Sequence, residues 1–114
     1  MPGVPDIELF ARMADVARMA EQSGFDSIWA MDHLHQIDTV GSRDEPILEA
    51  YTFLAAIAAV TKTARLGVLA TACGFRNAAL LAKMVTTIDI VSSGRAVLGI
   101  GAGWHEDEHH AYGI

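Results

Sequence analysis

The segment Met31-Asp32-His33-Leu34-His35 has the residue types for proton transfer. Imidazole titrates near neutral pH, and a neighbouring carboxylate can fix its tautomer or raise its pKa. Asp32 and His33 are therefore the candidate catalytic pair, with a solvated strand-end turn as the plainer alternative. Leu69-Ala70-Thr71-Ala72-Cys73-Gly74 offers small residues that would let a flat ring approach the backbone. Taken alone, tight strand packing explains that run better. Gly99-Ile100-Gly101-Ala102-Gly103 would expose backbone N–H groups of the kind that cradle phosphate. Its spacing is GxGxG rather than the dinucleotide GxGxxG, and no acidic ribose partner about 20 residues on lies within the chain.

His105-Glu106-Asp107-Glu108-His109 literally matches HExxH, in which two imidazoles on one helix face bind zinc and the Glu acts as base. Here it follows a glycine turn, is crowded by further charges and has no evident third ligand. A polar cap is the preferred reading, a zinc hydrolase is the distant one, and no metal is assigned.

These segments must be held by something, and the hydrophobic spacing says what. Phe10, Met13, Ala14, Ala17 and Ala20 recur at helical intervals over residues 6–23, with Asp6 as N-cap, Glu8 in the first turn and Gly24 as a left-handed stop. Residues 25–31 read as a short strand, followed by a polar loop over 32–45; loops that long in a compact domain are commonly functional. Pro46 suits the first position of a helix running to about Thr61. Residues 64–71 form a near-continuous apolar run, as in a strand buried on both faces. Asn77 can cap a third helix with a Leu81, Met84, Val85, Ile88, Val91 stripe, ended by Ser92-Ser93-Gly94. Residues 95–100 are the last strand. The order α-β-α-β-α-β requires right-handed crossovers and a parallel sheet, with function at the carboxyl ends of the strands. The informative residues are expected just after Met31, Thr71 and Ile100, at such ends.

The 114 residues fit one domain, and a 52% hydrophobic content suffices for a core. A net charge of -6 with only eight scattered Lys and Arg argues against nucleic acid. No apolar run reaches the ~18–20 residues of a membrane span. The opening Met1-Pro2-Gly3-Val4-Pro5-Asp6 has no basic or apolar segment of a secretory signal. The single Cys73 cannot form an internal disulfide, which points to the reducing cytoplasm.

The ordered set Gly24-Phe25-Asp26-Ser27-Ile28-Trp29, Asp32-His33, Arg65-Leu66-Gly67, Ser93-Gly94-Arg95 and Gly99-Ile100-Gly101-Ala102-Gly103-Trp104 resembles the bacterial luciferase-like monooxygenase family, most closely its F420-dependent (deazaflavin) oxidoreductases. The resemblance spans nearly the whole chain. It implies an α/β fold, part of a TIM (β/α)8 barrel comprising strands two to four with their helices. It also implies that His33, after the acidic Asp32, is the catalytic or cofactor-facing histidine. A non-prolyl cis peptide in a bulge of the third strand would fall at Leu69–Ala70, so that Leu69, Ala70, Thr71 and Ala72 support the ring. Gly101, Ala102, Gly103 and Trp104 would line the same cofactor pocket. Some sugar-phosphate dehydrogenases of the family carry an acidic catalytic residue after the glycine turn; Trp104 stands there, a departure from that activity.

The expectation is thus a flavin- or deazaflavin-dependent oxidoreductase or monooxygenase acting on a small organic substrate, using coenzyme F420 or reduced FMN. A barrel needs ~250 residues and eight strands, so residues 1–114 are expected to be a single, incomplete barrel domain. The expected partners are the remainder of the barrel or copies of the chain in a homo-oligomer, with weak cofactor binding by these residues alone. The alternative from another class is a non-catalytic fragment whose open edges drive self-association.

Overall fold

The computed structural model describes residues 5–114; the sequence reading of residues 1–4 as lacking a secretory signal lies outside the described residues. Helices and strands alternate: α1 (Asp6–Gln22), β1 (Ser27–Ala30), α2 (Ala50–Val60), β2 (Arg65–Val68), β3 (Thr71–Ala72), α3 (Ala78–Ser92), β4 (Ala96–Val97), β5 (Ile100–Gly101) and α4 (Glu106–Tyr112). All pairings are parallel, in the orders β1-β2-β4 and β3-β5. None of the described helices is long and apolar enough to cross a membrane.

The core lies between the sheet and helices α1 to α3. Leu66 and Val68 on β2 pack with Leu54, Ile57 and Ala58 of α2, Ala14 and Ala17 of α1, and Leu81 and Ile88 of α3. The predicted stripes hold at Ala14 and Ala17 on α1 and at Leu81 and Ile88 on α3, and each differs at one end. In the first turns of α1 Leu9 is buried, while Phe10 is 38% exposed; at the end of α3, Ser92 is buried and Val91 faces out. In each case the neighbouring residue completes the face against the sheet.

Helix boundaries follow their caps. Gly24 takes φ +84° just past α1, and Ser93 (φ 60°) and Gly94 (φ +86°) end α3 in left-handed conformations. Asn77 caps α3 by accepting from the Ala79 and Leu80 amides. Asp6, expected as an N-cap, is instead the first helical residue, after Pro5. The start of α2 also moves, from Pro46 to Ala50. Glu49 is its N-cap and accepts from the amides of Tyr51 and Thr52, satisfying donors that Pro46 has no side chain to meet.

Two side chains stitch the N-terminal edge of the sheet. Glu21 accepts from the amides of Lys62, Thr63 and Ala64 in the turn before β2. Arg95 spends its guanidinium on the end of α2, donating to the carbonyls of Ala58, Thr61 and Ala64 and to the Thr61 hydroxyl. Arg95 of the Ser93-Gly94-Arg95 motif is therefore a structural clamp. Gly67 has a steric reason as well. The Trp29 indole lies against it on the sheet face away from the helices, and a Cβ at residue 67 would sit 2.4 Å from Trp29 Cζ3.

Candidate active site

The site begins with a register change. Gly67 pairs with Val97, an offset of 30, whereas Thr71 pairs with Ile100, an offset of 29. One extra residue therefore sits on the earlier strand between Gly67 and Thr71, which is a β-bulge. The Leu69–Ala70 peptide within it is cis. An inserted residue flips the facing of all that follow. Leu66 and Val68 face the helices, and after the bulge it is Thr71 that turns that way.

The bulge, the turn after β1 and the segment after β5 meet around a cleft of about 210 Å³. Asp32, His33, Leu69, Ala70, Ala72, Gly101, Ala102, Gly103 and Trp104 all line it, together with Phe75 and Glu108. Thr71 is the exception among the predicted site residues. It is fully buried, and its hydroxyl meets the Tyr51 hydroxyl at 2.5 Å on the helix side. The parity change at the bulge is why. Leu69 and Trp104 stand at the rim, 68% and 70% exposed. The floor between them has no side chain longer than a methyl group, at Ala70, Ala72 and Gly101 to Gly103. Complete ligand pockets span ~300–1,000 Å³, so this cleft is smaller than a complete pocket.

His33 is not paired with Asp32, contrary to the sequence reading. Its Nδ1 lies 2.9 Å from Glu108 Oε2. The other Glu108 oxygen accepts from the amides of Leu34 (2.5 Å) and His35 (3.3 Å). Glu108 is 1% exposed. Burial alone would raise its carboxyl, but the bonds from His33 and the two amides outweigh burial and hold it below the ordinary carboxylate range. Trp104 and His105 each meet the His33 ring edge-on, with centroids 5.7 Å away.

Asp32 belongs to a second network behind the bulge. Arg76 binds it through two bonds of 2.7 Å, and the Ala72 amide donates to the same carboxylate at 2.9 Å. Arg76 also reaches Glu49 Oε1 at 2.5 Å and lies over the Tyr51 ring, 4.9 Å from its centroid. Burial raises the Glu49 carboxyl, but bonds from Thr52, Arg76 and Tyr51 more than reverse this and bring it to about 2. Asp32 thus holds the bulge through Ala72 and is a positioning group here.

In the HExxH segment the buried carboxylate is Glu108, two residues beyond the motif's Glu106, which is exposed. His105 packs with His33, His35 and Trp104, while His109 packs against Phe75. Among the described residues no group of three His, Cys, Asp or Glu is arranged to hold a metal ion. Sequence reasoning missed Glu108, Arg76 and Glu49. Arg76, directly before a predicted helix cap and after a strand end, carried the one local hint.

Residues 2–114 match the sequence model of the family described as luciferase-like monooxygenase. The chain belongs to that family. Within this luciferase-like family it is 35% identical over 92 residues to the 5,10-methylenetetrahydromethanopterin reductase of Methanolobus tindarius, covering 81% of this chain and 25% of that protein. It is 36% identical over 93 residues to the F420-dependent glucose-6-phosphate dehydrogenase of Kineococcus radiotolerans, covering 81% of this chain and 27% of the relative. Its structure resembles the oxygenating constituent of 3,6-diketocamphane monooxygenase from Pseudomonas putida, a type II Baeyer–Villiger monooxygenase solved with FMN. There the TM-score is 0.82 at 28% identity, covering 99% of this chain and 29% of the other. The chain thus spans 25–29% of the length of these three proteins. Its parallel α/β arrangement is that of a portion of a luciferase-like (β/α)8 barrel.

Proposed function

We propose that residues 1–114 form one wall of a flavin- or deazaflavin-binding pocket in an oxidoreductase or monooxygenase acting on a small organic substrate. The observation that carries this reading is the convergence of nine of the ten predicted site residues on one cleft beside His33. The small floor at Ala70, Ala72 and Gly101 to Gly103 suits a flat ring, and Leu69 and Trp104 offer apolar contact at its edges. Relatives named for F420 and for an FMN complex supply the two cofactor candidates. A bound deazaflavin would supply hydride transfer, and reduced FMN would add reaction with oxygen.

The chain's own contribution is orientation and proton handling. His33 takes or returns a proton at Nε2, since Nδ1 is occupied by Glu108. The bulge, held by Asp32 and Arg76, presents its backbone to the ring, and Trp104 shields that region from water. Among the described residues β1 and β4 each pair only with β2. The open edges favour completion of the barrel by further strands, in a longer polypeptide or a homo-oligomer. A cytoplasmic location agrees with the lone, exposed Cys73.

Titrating F420 and FMN against the complete-barrel protein, followed by ring fluorescence, tests the reading. Binding of one of them is expected, and failure of both to bind would overturn it. In the binding-competent protein, His33→Ala should lower kcat by about 10²–10⁴-fold while the ring's Kd changes little. Unchanged turnover removes His33 from the mechanism.

A further inference from the structure

We infer that Glu108 is a positioning residue that sets the tautomer and orientation of His33. The inference rests on the ring-pocket reading for its functional meaning, but its structural content stands apart. A buried carboxylate below its ordinary range is ionised, and an ionised carboxylate can only accept. The 2.9 Å contact with Nδ1 therefore requires the proton on that nitrogen. The neutral ring then leaves Nε2 as a lone pair for the cleft. Asp32 does not meet the ring and instead accepts from Arg76 and the Ala72 amide. The Leu34 and His35 amides fix the carboxylate in turn, so the ring's partner is itself held on two sides. The same contact joins α4 to the turn after β1 across 75 positions of sequence. The docked α4 therefore carries the carboxylate that orients the His33 ring.

The test is a long-range ¹H–¹⁵N spectrum of the cofactor-free protein labelled at histidine, recorded above the imidazole titration. The Nδ1–H form of His33 is expected in the wild type. In Glu108→Gln the side-chain amide can donate to Nδ1, so the Nε2–H form should gain at least half the population. A wild-type ring already in the Nε2–H form would overturn the inference whether or not the variant folds. So would an unchanged tautomer in a folded Glu108→Gln protein. In the cofactor-loaded protein, kcat should fall about 10²-fold or more with the ring's Kd within about twofold, the pattern of a misdirected base. Failure of ring binding in the wild type would strike the functional reading alone, since the tautomer is read without cofactor.

Discussion

Asp32 and Glu108 are buried carboxylates lining the same cleft, 5% and 1% exposed, yet they are compensated by different chemistry. Asp32 is met by a guanidinium in a two-bond fork, and that cation also holds Glu49. Guanidinium keeps its proton throughout the accessible pH range, so this hub is a fixed strut. Glu108 is met by an imidazole and two backbone amides, and an imidazole can give up its proton near neutrality. One buried acid therefore fixes backbone and the other addresses a group able to exchange protons. Adjacency in sequence suggested the opposite, that Asp32 served His33.

The contrast breaks most visibly at Arg76. Arg76→Met would leave two carboxylates facing each other without their cation, and removing one partner of a buried pair costs ~3–5 kcal/mol. Urea denaturation should report a loss of that size, with Arg76→Lys recovering part of it through charge but not through the fork. A loss below about 1 kcal/mol would show that the strut is ornamental.

Acid sharpens the same contrast. Glu49 lies at about 2 against an ordinary 4.5, and Glu21 and Glu108 are also lowered. With folded values below unfolded ones, the unfolded chain takes up protons first as pH falls. Stability from these groups is therefore complete above the ordinary carboxylate range and drains as pH falls from about 4.5 towards about 2. Urea midpoints measured from pH 7 to 2 should show this decline. Replacing Arg76 by Met should make the decline shallower and end it at higher pH, because Glu49 loses a bond that lowers it.

The smallest effect is a reference for both hubs. Asn77→Ala removes a helix cap that touches neither network. It should cost about 1 kcal/mol, with the His33 tautomer unchanged. A larger loss, or a shifted tautomer, would mean that α3 and the mouth are more tightly coupled than the two separate hubs imply.

Much of this was readable from local pattern. The helix–strand alternation, the Asn77 cap and the Gly24 and Gly94 stops depend on residues within a turn of one another. The cleft followed from where parallel strands end. Two starts were misread, because Asp6 and Pro46 are each plausible helix openers and only the observed bonds of Glu49 choose between possible beginnings for α2. The stripes on α1 and α3 each missed one end residue, Leu9 and Ser92, because a helix face is broad and its margin is set by what it packs against.

By itself the sequence determined three helices, the strands between them and their order, because periodicity and capping are short-range. Its ordered motifs carried the resemblance to the family and nine residues of one cleft, while α4 was read only as a polar cap. Tertiary structure decided the assignments that need distant partners. It turned Thr71 to the helix side through one extra residue in the bulge, gave Asp32 to Arg76 across 44 positions, and gave His33 to Glu108 across 75. Strand parity and helix phase set such pairings, and neither is fixed until the chain has packed.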